Sequence, residues 1–301
     1  MSYNKPILKW VGGKTQIIDK IMDEFPKEMN NYHELFLGGG SVLIELLNKV
    51  NNNEIKINGK IYAYDINETL INMYKNIQND YDNFYEEVKK IVDEYKSCDD
   101  IKGHNKPINK EDALTSRETY YYWIRKEYNS LDDKCSLYAS VLFLFLNKTC
   151  FRGVYRIGPN GFNVPYGNYK NPEIVKYEHL KYLSELIKEV EFRCSDFCES
   201  FKNIKKGDFV YLDPPYAPET KTSFVKYTGE GFDINKHNEL FDKCNKLKDV
   251  NMLMSNADVD LVKDSFSGDK YVIKSVLCKR SINSKKPDAK TNELLIKNRG
   301  N

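Results

Sequence analysis

The segment Phe209-Val210-Tyr211-Leu212-Asp213-Pro214-Pro215-Tyr216 decides how the rest of the chain is read. Four apolar residues run straight into an acid and two prolines, which reads as a buried parallel strand stopping abruptly at its carboxyl end. Open α/β sheets bind their ligands at that end. Pro214 and Pro215 have fixed φ and no N–H, so the carbonyls beside them are left free and firmly aimed. The Asp213 carboxylate and the Pro214 carbonyl can therefore accept two hydrogen bonds from one planar amino group. Such bonds stabilise a nitrogen that becomes tetrahedral and electron-rich as it attacks an electrophile. The nitrogen turns acidic once alkylated, so no strong general base is needed. Tyr216 adds a flat face on which the ring bearing the amino group can stack. Taken alone, the same four residues also fit a Pro-Pro loop capped by a structural aspartate.

Outward from this strand, six further apolar or β-branched runs read as strands. They lie near Tyr32–Phe36, Ile61–Tyr64, Glu191–Cys194, Asn251–Ser255, Tyr271–Lys279 and Glu293–Lys297. Helical patterns stand between several of them. Lys14–Phe25 places Ile17, Ile18, Ile21 and Phe25 on one face, and Asn67–Ile77 does the same with Leu70, Ile71, Tyr74 and Ile77. The alternation predicts an α/β fold with a mostly parallel sheet covered on both faces. It breaks between about Tyr81 and Val190, where helical segments dominate: Asn83–Tyr95, Ser116–Leu131, Lys134–Asn147 and Ile174–Val190. Irregular stretches around Ser97–Asp112 and Lys148–Pro172 interrupt them. The expected organisation is a discontinuous catalytic domain, residues 1–80 and 191–301, with a mainly helical insertion at 81–190.

A second ligand signal precedes the insertion. Glu34-Leu35-Phe36 runs into Gly38-Gly39-Gly40 and then into an apolar helical segment, Ser41–Leu47. Glycines at a strand-to-helix turn let a ligand approach the backbone closely. Asp65 ends the next strand, where an acid can accept hydrogen bonds from a ribose diol. A dinucleotide fold uses the same two devices, but Leu43 stands where its third glycine is required. Gly12-Gly13-Lys14-Thr15 imitates the tail of a phosphate-binding loop, yet Leu8 replaces the first glycine of that motif. Trp10 and Lys14 flank this turn, where they either contact a cofactor or pack the segment onto the sheet.

Composition bounds the partners. The 301 residues include 46 basic and 44 acidic side chains, so affinity for a polyanion must come from local patches. Seven scattered cysteines without CxxC pairs imply reduced thiols, no disulfide framework and no metal site. The longest apolar run, Val141 to Leu146, is too short for a bilayer, and no signal segment leads the chain, so a soluble intracellular protein is expected.

Taken together, the motifs resemble the Dam-type, D12-class adenine-N6 DNA methyltransferases of the α arrangement. The resemblance rests on Leu8-Lys9-Trp10-Val11-Gly12-Gly13-Lys14, Phe36-Leu37-Gly38-Gly39-Gly40-Ser41, Tyr64-Asp65-Ile66-Asn67 and Asn147-Lys148-Thr149-Cys150-Phe151. It continues through Phe162-Asn163-Val164-Pro165-Tyr166-Gly167, Ser195-Asp196-Phe197, Asp213-Pro214-Pro215-Tyr216 and Met254-Ser255-Asn256. It implies a Rossmann-like seven-stranded methyltransferase sheet with an inserted target-recognition domain. It also implies S-adenosyl-L-methionine as cofactor and double-stranded DNA as partner, with no obligate protein partner. By position, Trp10, Lys14, Phe36, Gly38, Gly40 and Ser41 would line the cofactor pocket. Asp65 would bind the ribose, Asp196 and Phe197 the cofactor's adenine, and Asp213 with Tyr216 the target base. That base would be extruded from the duplex first. An Asp at the first tetrapeptide position resembles the adenine enzymes rather than relatives acting on cytosine or glutamine.

The window from Lys134 to Pro172 contains no acid, while Lys134, Lys148, Arg152, Arg156 and Lys170 give it purely positive charge. Phe151, Tyr155, Phe162, Tyr166 and Tyr169 interleave with them, which suits a hairpin or loop that contacts phosphates and wedges at bases. Charge alone fits a solvated loop equally well, but the family's target-recognition hairpin lies at this position. Arg125, Asn147, Lys148, Phe151, Arg152, Tyr155, Arg156 and Asn163 are the expected DNA-contacting residues. Members that read GATC commonly carry Asn after the Phe, whereas Arg152 stands here. Residues 217–231 read as a loop over the flipped base, and 274–290 as a solvated basic hairpin, with contact to the DNA backbone as the second reading. Two other readings compete: a catalytically silent DNA-binding relative, and a methyltransferase acting on RNA adenine.

Overall fold

All seven expected strands form and hydrogen-bond into one sheet in the computed structural model, which describes residues 5–217, 232–279 and 290–299. They are β1 (Tyr32–Glu34), β2 (Ile61–Asp65), β3 (Val190–Cys194), β4 (Phe209–Leu212), β5 (Asn251–Ala257), β6 (Tyr271–Lys279) and β7 (Lys290–Asn298). Their spatial order is β6-β7-β5-β4-β1-β2-β3. Strands β1 to β5 run parallel, with Glu34 opposite both Ala63 and Tyr211, while β7 is antiparallel to β5 and to β6. Strand order therefore reverses between β1 and β4, whose carboxyl ends lie side by side at the position where open sheets bind ligands.

The sheet belongs to a unit formed by Lys14–Leu37, Ser41–Ile66 and the chain from Glu189 onward. All four residues of β4 are buried, as a strand covered on both faces requires. Val210, Leu212, Met252, Met254, Leu294 and Ile296 meet Leu240 and Phe241 of helix Ile234–Asn245 in its core. Each such side chain contributes about 1.5–3 kcal/mol when fully buried.

A second unit consists of the chain through Gly13, the glycine turn Gly38–Gly40 and Asn67–Lys188. Its centre is helix Leu137–Thr149, apolar on every side along Val141–Leu146, and such a helix is stable only when surrounded. Helices Glu68–Asn79, Tyr81–Ser97 and Arg117–Ser130 pack around it. Asn67, Asp80, Ser116 and Ser136 cap the four starts by accepting backbone N–H bonds. Tyr120 and Tyr121 are buried in this core.

Some elements differ from the sequence expectation. The Lys14–Phe25 pattern resolves into a 3-10 turn, Lys14–Gln16, and a short helix, Ile18–Met22. The last helix of the second unit ends at Leu186, because Val190 already pairs with Ile61 in β3. A two-residue parallel pair, Glu28–Met29 with Lys56–Ile57, and a helix at Lys110–Ala113 carry no apolar periodicity and were not anticipated. No helix among the described residues is long and apolar enough to cross a membrane.

Candidate active site

Asp213 follows the last residue of β4 and is held from one side. Its Oδ2 lies 2.8 Å from the Nζ of Lys14, a side chain only 3% exposed. Its Oδ1 is buried without a hydrogen-bond partner among the described residues. A buried carboxylate oxygen left in this state is normally a place where a donor arrives. Burial pushes the Asp213 carboxyl up to about 6, against the opposing pull of Lys14. The same ammonium sits 4.8 Å from the centre of the Tyr216 ring. Pro214 is buried and Pro215 exposed. The Tyr216 hydroxyl donates to Glu293 Oε2 at 2.8 Å, and burial, with Asp213 and Glu293 nearby, raises its phenol well above the ordinary range. Beyond it, Ala217 N–H donates to Asn256 Oδ1 at 3.1 Å, so Asn256 on β5 clamps the backbone that leaves the tetrapeptide.

The carboxyl ends of the neighbouring strands carry further polar groups. Glu34, at the end of β1, is buried and accepts from Tyr32 Oη at 2.7 Å. Burial raises its carboxyl to about 8, with Asp213 and Asp65 adding to the effect, so it holds a proton at neutral pH. Leu37 N–H donates to Tyr64 O, which fixes the chain entering the glycine turn, and Ser41 Oγ accepts the Lys14 N–H where it resumes. Asp65 ends β2, and the next residue, Ile66, is 73% exposed, an apolar surface beside an acid that sequence reading passed over. Asp196 caps the short helix Phe197–Ser200 by accepting from Cys198 N–H, and its other oxygen lies 3.9 Å from Lys236 Nζ. Phe36 and Phe197 pack with ring centres 6.0 Å apart, each also against Phe232.

In the second unit, Trp10 stacks on Tyr155 at 5.8 Å and lies against the glycine turn. A Cβ on Gly38 would meet the indole at 2.8 Å, and φ there is +50°, so both space and backbone demand glycine. Gly40 also has positive φ, at 71°. Tyr74 Oη donates to Gly39 O at 2.8 Å and holds the turn from below.

Residues 10–282 match the family model described as D12 class N6 adenine-specific DNA methyltransferase. The chain is 39% identical to the Type II methyltransferase M.MjaIII of Methanocaldococcus jannaschii, over 98% of this chain and 99% of that protein. It is 31% identical to a DNA adenine methylase of Haemophilus influenzae, covering 97% and 93% of the two chains, and 30% to that of Vibrio cholerae, covering 89% and 87%. The chain belongs to the D12 class of adenine-specific DNA methyltransferases. Among the described residues of this D12 methyltransferase, no group of His, Cys, Asp and Glu is gathered as a metal would require.

Of the expected DNA-contacting residues of the D12 chain, four are exposed, Arg125, Lys148 and Tyr155 are half-buried, and Asn147 is buried. Arg152 and Phe151 are exposed, with the guanidinium 5.2 Å over the phenyl ring. Arg152 has φ of +57°, and its N–H donates to Tyr169 Oη at 2.9 Å. Arg156 and Asn163 are exposed and bonded to each other, Nε to Oδ1 at 2.6 Å, at the base of a hairpin formed by Ile157–Gly158 and Gly161–Phe162. Lys148 is half-buried, and desolvation with Lys9 nearby lowers its amine to about 8. Asn147 instead is buried and spends its amide on the backbone: Oδ1 accepts from Lys9 N–H, and Nδ2 donates to Lys9 O and Gly153 O. Tyr155 packs among Trp10, Phe143 and Phe162. Arg125 donates to Val164 O at 3.1 Å and lies over the Tyr122 ring. Asn129 was not anticipated; it brackets Phe162, accepting its N–H and donating to its carbonyl. Residues 218–231 and 280–289, which include most of the expected loop and part of the basic hairpin, lie outside the described residues.

Proposed function

We propose that the chain transfers a methyl group from S-adenosylmethionine to the N6 amino group of an adenine extruded from double-stranded DNA. The observation that carries this reading is the asymmetry of Asp213: Oδ2 is held by Lys14, while Oδ1 is buried with no partner among the described residues. One adenine N6–H donates to that oxygen and the other to the Pro214 carbonyl. Both acceptors gain strength as the nitrogen becomes more positive, which is stabilisation specific to the transition state. Lys14 keeps Asp213 ionised, since a protonated Oδ1 would offer a donor where an acceptor is needed. Tyr216 stacks on the adenine, and extrusion from the helix is required because N6 is otherwise inside a base pair.

S-adenosylmethionine, when bound, supplies an electrophilic methyl group. Residues at the ends of the strands and in the glycine turn fit its parts. Asp65 accepts from the ribose hydroxyls, Ile66 and Phe197 cover the adenine, and Asp196 receives its amino group. Phe36 precedes the glycine turn and Ser41, bonded to Lys14 N–H, follows it, while Gly38 and Gly40 beside Trp10 allow close approach of the methionine portion. In the second unit, Arg152, Phe151, Arg156 and Asn163 face DNA directly, with Lys148 neutralising a phosphate. Asn147, Tyr155 and Arg125 serve the same surface by holding the backbone that presents it.

The test is direct. Purified protein is incubated with methyl-labelled S-adenosylmethionine and unmethylated genomic DNA, which is then digested to nucleosides. Labelled N6-methyladenine is expected from the wild type and not from Asp213→Ala. Label in another nucleoside, or equal label in the variant, would overturn the assignment, and preferential labelling of structured RNA would redirect it.

A further inference from the structure

The hydroxyl of Tyr216 is tied to a strand that carries none of the sequence motifs. Its Oη donates to Glu293 Oε2 at 2.8 Å. Glu293 lies on β7, in register with Ala257 of β5 and Val276 of β6. Ala257 is the residue after Asn256, which accepts the Ala217 N–H. Adjacent strands thus fix two neighbouring points: Asn256 holds the backbone just past Tyr216, and Glu293 holds the far end of its ring.

A tyrosine that only filled space would not need its hydroxyl bonded to a carboxylate at the point where the strand turns apolar, Leu294-Leu295-Ile296 following Glu293 directly. A phenol donating to a carboxylate makes one of the stronger hydrogen bonds available, and it fixes where the ring points. Lys14 lies over the ring at 4.8 Å, so the ring is fixed at its hydroxyl and faces a cation bound to Asp213. From these contacts we infer that Glu293 is a positioning residue for methyl transfer: through the Tyr216 hydroxyl it sets the ring on which the target adenine stacks, without touching substrate itself. The inference rests on the reading of Tyr216 given above.

Four proteins test it: Glu293→Ala, Glu293→Gln, Tyr216→Phe, and the double variant Glu293→Ala/Tyr216→Phe. Each is assayed for its single-turnover methylation rate on unmethylated genomic DNA at saturating S-adenosylmethionine, for cofactor Kd by calorimetry, and for Tm. Glu293→Ala and Tyr216→Phe should each slow methylation about tenfold with the cofactor Kd within twofold of wild type. The double variant should be no slower than either single one, because both remove the same bond. Glu293→Gln keeps an acceptor and should recover to within about threefold of wild type. Multiplicative losses in the double variant, a fully active Glu293→Ala, or a Gln variant as slow as Ala would each overturn the inference. If the wild type itself forms no N6-methyladenine, the reading of the site falls. If it does while the variants behave independently, only the role of Glu293 falls.

Discussion

Lys14 Nζ lies 2.8 Å from Asp213 Oδ2 and 4.8 Å from the centre of the Tyr216 ring, so one buried cation contacts both functional side chains of the tetrapeptide. Removing it leaves a buried carboxylate without its counter-charge, and that group then takes up a proton more readily. Lys14→Met should therefore slow methylation at least tenfold at pH 7 and move the acidic limb of the rate profile to higher pH. Rates measured from pH 5.5 to 9 for both proteins decide it: a limb that stays in place would show that Lys14 does not govern Asp213.

The wild-type protein should itself lose activity in mild acid. Asp213 is raised to about 6, chiefly by burial, and must be ionised to accept from N6–H. Its charged fraction falls about tenfold between pH 7 and pH 5, and the single-turnover rate should follow. A rate that holds flat to pH 5 would contradict the assignment.

Glu34 predicts a stability effect of definite sign. Its folded carboxyl is raised to about 8, well above the ordinary carboxylate range, so the native state keeps a proton that the unfolded chain releases. Its contribution to stability is full below the unfolded value and is lost as pH rises through the folded one. Glu34→Gln should melt near the wild type at pH 5 and a few degrees above it at pH 9. Thermal melts at the two pH values suffice, and a constant difference between them would count against a buried, protonated Glu34.

Asn129 should matter for DNA and not for the cofactor. Its two hydrogen bonds to Phe162 brace the hairpin that carries Arg156 and Asn163. Asn129→Ala should weaken binding to a fluorescent duplex about tenfold at fixed salt, with the Kd for S-adenosylmethionine unchanged. Equal loss of both affinities would instead mean a general loosening of the unit.

What the sequence made legible is what local patterning encodes. Runs such as Phe209–Leu212 and Ile61–Tyr64, each bounded by acids, prolines or glycines, located all seven strands, and Asp213–Tyr216 stood out because two prolines after a buried run have few other uses. The pairing of Lys14 with Asp213 was not legible, because it depends on how distant segments meet. Glu293 left a faint signal as a carboxylate opening an apolar run, and Asn129 left none on an ordinary helix face. Asn147 and Tyr155 have contacts that local patterning does not show. A polar and an aromatic residue in a basic window suggest contact with DNA, and the fold adds that Asn147 holds backbone while the half-buried Tyr155 packs on Phe143.

The amide of Asn147 grips Lys9 at both its N–H and its carbonyl, across 138 residues of chain. During synthesis the residues around Lys9 emerge before Asn147, and the clamp that orders them cannot form until Asn147 has left the ribosome. At about 5–20 residues per second that wait is roughly 7–28 s. Trp10 waits slightly longer still, because the Tyr155 ring on which it stacks is made after Asn147. A slowed ribosome would lengthen the exposure of this segment, while β1 and β2 of the sheet emerge in the same interval.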